Sequence, residues 1–180
     1  MPYAVEMFFD KESDAQIRKI WHSLKESGIS SWMEDSGSVP HVTLSVFGEL
    51  DADEADRRLA SFAEKVSGFP LVFASIGAFP TDEGVLFLAP VVTGELLRVH
   101  NAFHDFFADL REDQWPYYLP DSWVPHCTLA INIKKEEIHK ALDNVIRDYR
   151  PICAEVDRVA LVEYHPVKIL KEYRFRMSSR

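Results

Sequence analysis

Apolar positions along the chain follow two different periods, and this mixture predicts an α+β fold. A spacing of three or four residues predicts amphipathic helices over residues 10–27, 52–66, 95–110 and 135–150. Alternating or short continuous apolar runs predict strands over residues 3–9, 39–47, 70–79, 84–91, 124–133, 154–164 and 169–177.

A pentapeptide, Pro-His-x-Thr-Leu, occurs twice, once at 40–44 and once at 125–129. Seven histidines and four threonines in 180 residues give a chance expectation of about 0.16 His-x-Thr pairs, whereas two are present. A helix, a proline-led strand and a further strand follow each copy. The repetition predicts a structural duplication, in which two units of similar length pack together as one domain over residues 1–180.

The spacing inside the motif predicts a polar face on each strand. Side chains two residues apart on a strand point the same way, so His41, Thr43 and Ser45 share a face, as do His126 and Thr128. An imidazole accepts or donates a proton near neutral pH, and a hydroxyl can hydrogen-bond a phosphate oxygen. Two such pairs facing each other suit acid–base displacement at phosphorus. One copy alone would indicate only a strand with a structural histidine, but two matched copies favour a shared site.

Two other groups of residues are candidates for function. His100 and His104 stand four residues apart on the third predicted helix and could ligate one metal ion, although a packing role is favoured. Tyr118 and Trp123 lie in an aromatic segment before the second motif and are candidate contacts for a nucleobase, because aromatic faces stack on bases. The alternative for this segment is that it covers the core.

Composition narrows the class of partner. With 47% hydrophobic and 27% charged residues the chain is typical of a globular protein. A net charge of −9 disfavours long duplex nucleic acid, whose binding needs a basic surface, and favours a small nucleotide or an RNA end.

Neither a membrane span nor a secretory signal is predicted. Cys127 and Cys153, in apolar strands, are expected to be buried thiols of a cytoplasmic protein, and a monomer is expected.

The duplicated motif, at this spacing and in a chain of this length, resembles the two-histidine (2H) phosphoesterase superfamily. The branch it is most similar to is that of 2′-5′ RNA ligase and cyclic phosphodiesterase-like proteins. The resemblance implies two pseudo-symmetric lobes of antiparallel sheet with helices packed outside, around a central groove. The resemblance implies that His41 and His126 are catalytic, assisted by Thr43 and Thr128, without metal or other cofactor. It also implies action on 2′,3′-cyclic phosphates, ADP-ribose cyclic phosphate or 2′-5′ linkages in RNA. It distinguishes neither the substrate nor the acid from the base, and a non-catalytic nucleotide-binding module is the alternative.

Overall fold

The computed structural model describes residues 2–79, 81–164 and 166–177. Its strands are β1 (Tyr3–Phe9), β2 (His41–Phe47), β3 (Phe69–Phe79), β4 (Val85–Pro90), β5 (Cys127–Ala130), β6 (Ile152–Glu163) and β7 (Lys168–Arg174). Its helices are α1 (Lys11–Glu26), α2 (Trp32–Asp35), α3 (Ala52–Ala63), α4 (Gly94–Phe106) and α5 (Ile138–Ile146). The predicted α+β class is confirmed, and α2 is an addition that the apolar pattern did not indicate.

Side-chain caps begin the three longest helices. Carboxylate oxygens of Asp10 and Asp51 and the hydroxyl of Thr93 accept hydrogen bonds from backbone N–H groups of the first turn. Each cap satisfies donors that a helix leaves unpaired and contributes about 1 kcal/mol. In the described part of the chain, none of the helices has both the length and the apolar content needed to traverse a bilayer.

The strands form an antiparallel sheet in the order β2-β1-β6-β3-β4-β5, with β7 beside β6. If β1, β2 and β3 are exchanged with β4, β5 and β6, the same strand order results when it is read from the other end of the sheet. The chain therefore repeats a β-α-β-α-β unit, and the third strand of each unit pairs with the first strand of the other. This exchange of strands creates two pseudo-symmetric lobes, as the resemblance to the two-histidine family implied.

The two motif strands, β2 and β5, stand at opposite ends of the sheet order but contact each other, so the sheet curves back on itself. Val42, Leu44, Cys127 and Leu129 face the core and are fully or almost fully buried. Burial of each large aliphatic side chain stabilises the fold by roughly 1.5–3 kcal/mol, which holds this face of each strand against the core.

Both cysteines are free, but their environments differ. Cys127 is buried, as expected, whereas the expectation of burial is wrong for Cys153. On β6 the neighbours Ile152 and Ala154 point into the core, and the alternation of side chains leaves Cys153 exposed.

Candidate active site

A cleft of about 400 Å³ lies where the two motif strands meet. Its lining includes His41 and Thr43 from the first motif and His126 and Thr128 from the second. His41 and Thr43 lie on β2, while His126 immediately precedes β5 and Thr128 lies within it. The structure thus brings together the four side chains that the duplicated motif singled out, in what we call the central cleft.

A β-bulge at Leu44 ends the alternation that was expected along β2. Thr43 pairs with Glu6, and Ser45 pairs with the residue immediately before Glu6, which leaves Leu44 without a partner on β1. One extra residue in a strand turns the side chains beyond it to the opposite face of the sheet. Ser45 therefore lies outside the lining of the central cleft, fully buried, and its hydroxyl donates to Gln114 Oε1 at 3.1 Å.

The second motif has the same bulge, at Leu129. Thr128 pairs with Phe87 on β4, while the residue two positions after Thr128 pairs with the one immediately before Phe87. The pairing of motif threonines makes Glu6 on β1 and Phe87 on β4 pseudo-equivalent. The two repeats thus present a carboxyl group and a phenyl ring at matching positions beside their motifs.

Both motif histidines are held in the same tautomer. The Nδ1 atom of His41 lies 2.6 Å from the carbonyl oxygen of Val39, and that of His126 lies 2.7 Å from the carbonyl oxygen of Val124. A carbonyl oxygen only accepts, so Nδ1 carries the hydrogen in each ring and Nε2 is left for chemistry. The valine before each motif proline therefore orients the motif histidine through its backbone carbonyl. The side-chain pattern of the sequence did not indicate this role.

Glu6 is the nearest charged neighbour of His41. Its Oε1 atom lies 3.5 Å from His41 Nε2, within ion-pair distance when the ring is protonated. The residue is only 8% exposed, and this burial raises the pKa of the Glu6 carboxyl, while the charge of His41 opposes the shift. Sequence reasoning missed Glu6; its signal is a single acidic residue within the apolar strand Tyr3–Phe9.

His126 has an aromatic environment instead. The rings of Phe79 and Phe87 lie 5.0 Å and 5.3 Å from its imidazole, measured between centroids. Burial lowers the pKa of His126, with the positive charge of His41 adding to the effect and the Val124 carbonyl opposing it. The neutral imidazole, which can accept a proton, is therefore favoured at this position.

Of the two aromatic candidates, only Tyr118 lines the central cleft. Burial, together with the charge of Glu6, raises the pKa of Tyr118 to about 12. Trp123 lies outside that lining: its ring stacks on His100, with centroids 3.9 Å apart, and its Nε1–H donates to the carbonyl oxygen of Thr43. Trp123 thus supports the first motif strand from behind.

His100 and His104 hold the loop that carries Tyr118. Their Nε2 atoms lie 2.9 Å and 3.0 Å from the carbonyl oxygen of Tyr118, and 3.1 Å from each other. Burial and the neighbouring ring of His104 lower the pKa of His100 to about 4. Among residues 2–79, 81–164 and 166–177, no group of three or more side chains is arranged to hold a metal ion. The packing role considered for this pair is the one that the contacts support.

The described lining of the central cleft carries acidic side chains and no lysine or arginine. Glu6 and Glu83 both line it, and the lining residues of the described chain include neither lysine nor arginine. Among the described lining residues, an imidazole is the side chain that can carry a positive charge.

Solved structures of similar fold were found at low sequence identity. TT0787 of Thermus thermophilus matches with a TM-score of 0.63 and 17% identity, over 99% of this chain and 100% of that one. E. coli LigT complexed with NADP+ matches with a TM-score of 0.59 and 17% identity, over 97% of each chain. LigT complexed with 3′-AMP gives 0.58 and 15%, over 97% of this chain and 98% of that one. None of the curated proteins compared with the chain matches it in sequence.

The fold and its two His-x-Thr strands are those of two-histidine phosphoesterases, which confirms the resemblance seen in the sequence. The family model for the 2′-5′ RNA ligase superfamily matches residues 9–168, and the chain belongs to that superfamily.

Proposed function

We propose that this protein is a metal-independent phosphoesterase that uses two-histidine acid–base catalysis. Its substrate would be a cyclic phosphate, on a 2′,3′-cyclic nucleotide or an RNA end, or a 2′-5′ phosphodiester. The observation that carries the proposal is the matched pair His41 and His126: both line one cleft, and both have Nδ1 engaged by a backbone carbonyl, which frees Nε2. Structures of E. coli LigT with 3′-AMP and with NADP+ support a small nucleotide as ligand.

The environments of the two rings suggest their roles in hydrolysis. The aromatic surroundings of His126 favour its neutral form, so we assign it as the base that takes a proton from water. The water oxygen then bonds to phosphorus as the P–O bond to one ribose oxygen breaks. Glu6 lies within ion-pair distance of His41, which we assign as the acid that gives its Nε2 proton to the leaving oxygen.

The motif threonines and Tyr118 complete the proposed site. The hydroxyls of Thr43 and Thr128 would donate to the non-bridging phosphate oxygens and stabilise the charge that develops there. Tyr118 lines the same cleft and is the proposed contact for the base. Ser45 and Trp123 would act indirectly, by holding β2 in place through their hydrogen bonds.

The setting proposed for this activity is a cytoplasmic monomer with a single two-lobed domain. Both motifs come from one chain, so a second subunit is not needed to complete the site. The net charge of −9 and the two free thiols fit a small ligand and a reducing compartment.

The test is a panel of 2′,3′-cyclic nucleotides and 2′-5′ dinucleotides, assayed in excess chelator. Wild type, His41→Ala and His126→Ala are compared, with His139→Ala as the control because His139 is exposed on α5. Loss of either motif histidine should lower the rate by about 10²–10⁴-fold, while the control retains wild-type activity.

Three results would count against the proposal. Equal rates in all four proteins would reject the catalytic assignment, and loss of activity in chelator would indicate a metal. Binding of nucleotide without turnover of any substrate would favour the alternative, a non-catalytic nucleotide-binding module.

A further inference from the structure

The residues that pair with the two motif threonines differ between the halves of the central cleft. Glu6 pairs with Thr43 in the first repeat, and Phe87 pairs with Thr128 in the second. Two other features next to the motifs are matched: the bulge after each threonine and the carbonyl bound to each histidine Nδ1. The carboxyl group of Glu6 is therefore a departure from the symmetry of the site, and a buried one.

A phosphate group bound to His41 would lie close to the carboxyl group of Glu6. A phosphate oxygen bonded to His41 Nε2 lies about 3 Å from that atom, and Glu6 Oε1 lies 3.5 Å from the same atom. With Glu6 in its ionised form, the two negative groups are then separated by no more than about 6.5 Å. At such a distance in a partly buried cleft, each added ligand charge weakens binding by on the order of tenfold to a hundredfold.

The rest of the lining offers little compensation for this repulsion. The lining residues within the described part of the chain include no lysine or arginine, and Glu83 adds a second carboxyl group. When His41 is protonated, its charge is already matched by Glu6. A phosphodiester carries one negative charge, whereas a phosphomonoester carries close to two above its second pKa of about 6.

We propose that Glu6 is a specificity-determining residue that makes the central cleft accept singly charged phosphodiesters and disfavour doubly charged phosphomonoesters. The inference rests on the proposed function, because it assumes that phosphate binds between the motif histidines. Hydrolysis of a cyclic phosphate turns a monoanion into a dianion, so the same carboxyl group would promote release of the product.

A pair of ligands that differ by one methyl group tests this inference without turnover. 2′-Deoxyadenosine 3′-phosphate is doubly charged at about pH 8, and its 3′-methyl ester is singly charged; neither has the 2′-hydroxyl needed for cyclisation. Dissociation constants for both would be measured by calorimetry on wild type, Glu6→Gln and Glu6→Asp. Glu136→Gln is the control, because it removes the same charge from an exposed site away from the cleft.

Wild type should bind the methyl ester more tightly than the monoester. In Glu6→Gln the dissociation constant of the monoester, divided by that of the methyl ester, should fall by roughly tenfold or more. The reason is that the substitution removes the negative charge that repels the second charge of the monoester. Glu6→Asp, which keeps the charge, and Glu136→Gln should retain the wild-type preference.

Two outcomes overturn the inference. The first is a wild type that binds the monoester as tightly as the ester, a result that needs no variant to fold. The second is a Glu6→Gln protein that binds both ligands with the wild-type ratio. Failure of the proposed function is a separate result: the charge preference with no hydrolysis of any substrate would leave the inference standing and remove the catalytic role.

Discussion

The indole nitrogen of Trp123 donates a hydrogen bond to the carbonyl oxygen of Thr43, 3.0 Å away. Its counterpart is Trp21 on α1, whose indole nitrogen donates to the carbonyl oxygen of Thr128, also at 3.0 Å. Trp123 belongs to the second repeat and Trp21 to the first, so each repeat supplies the indole that holds the motif strand of the other. The two motifs are thereby fixed relative to one another by bonds that do not involve their reactive side chains.

Replacing either indole should loosen the motif strand that it holds. Trp123→Phe and Trp21→Phe keep an aromatic ring but leave the threonine carbonyl without its N–H donor. Each should lower the free energy of unfolding by about 1–3 kcal/mol, as expected for a part-buried acceptor that loses its partner. Urea denaturation measures the effect, with Trp115→Phe as the control because Trp115 is 43% exposed. Wild-type stability in both test variants would show that these bonds contribute nothing.

Acid should destabilise the protein through His100. The pKa of His100 is about 4 in the folded chain against an ordinary 6.5, so the unfolded chain binds the proton more readily between these values. The free energy of unfolding therefore falls as the pH drops from 6.5 toward 4, by up to about 3 kcal/mol from this group.

Urea denaturation at several pH values tests the role of His100. His100→Asn removes the titrating ring and should flatten the pH dependence between 6.5 and 4. His139→Asn changes an exposed histidine and should keep the wild-type slope. The same acid sensitivity in His100→Asn as in wild type would assign it to other groups.

The pH dependence of turnover should reflect His126. Burial lowers the pKa of His126, so a base at this position remains neutral, and active, below pH 6.5. Phe79→Ser would admit water beside the ring and should shift the acidic limb of kcat/KM toward higher pH. Tyr117→Ser, at a residue 78% exposed, should leave the profile in place. An acidic limb that does not respond to Phe79→Ser would argue against His126 as the base.

Gly77 makes room for the ring that packs against His126. A Cβ atom at Gly77 would come within 2.5 Å of two ring carbons of Phe87, so Gly77→Ala must displace that ring. We expect a loss of about 1–3 kcal/mol in stability, as for other overpacked sites, together with lower turnover. Gly48→Ala is the matched control, since a Cβ there meets no atom within 4 Å. Thermal unfolding of the two variants would contradict the prediction if they proved equally stable.

Each motif threonine should act through its hydroxyl. Thr43→Val and Thr128→Val keep the branched shape but cannot donate to a phosphate oxygen, so kcat should fall by roughly 10²-fold, in the range found for other lost oxyanion donors. Serine at the same positions retains the hydroxyl and should restore most of the rate. Steady-state kinetics on the four variants would reject this role if valine and serine behaved alike.

The parts of the fold that follow from local pattern were predictable, and those that depend on strand pairing were not. Helix spacing and the repeated pentapeptide indicated the α+β class and the meeting of His41 with His126. The bulge at Leu44 is a property of the register between β1 and β2, so the facing of Ser45 could not be read from β2 alone. Glu6 acquires its place for the same reason, because it meets His41 only after distant strands pair.

The exchange of third strands has a consequence for how the protein is made. β6 occupies the middle of the sheet, between β1 and β3, although most of the chain precedes it. A nascent chain that lacks β6 leaves both neighbouring strands with open edges, so neither lobe can be finished during earlier synthesis. The two halves are interlocked rather than joined end to end, and separating them at the β3–β4 hairpin should yield fragments that regain a sheet only when mixed.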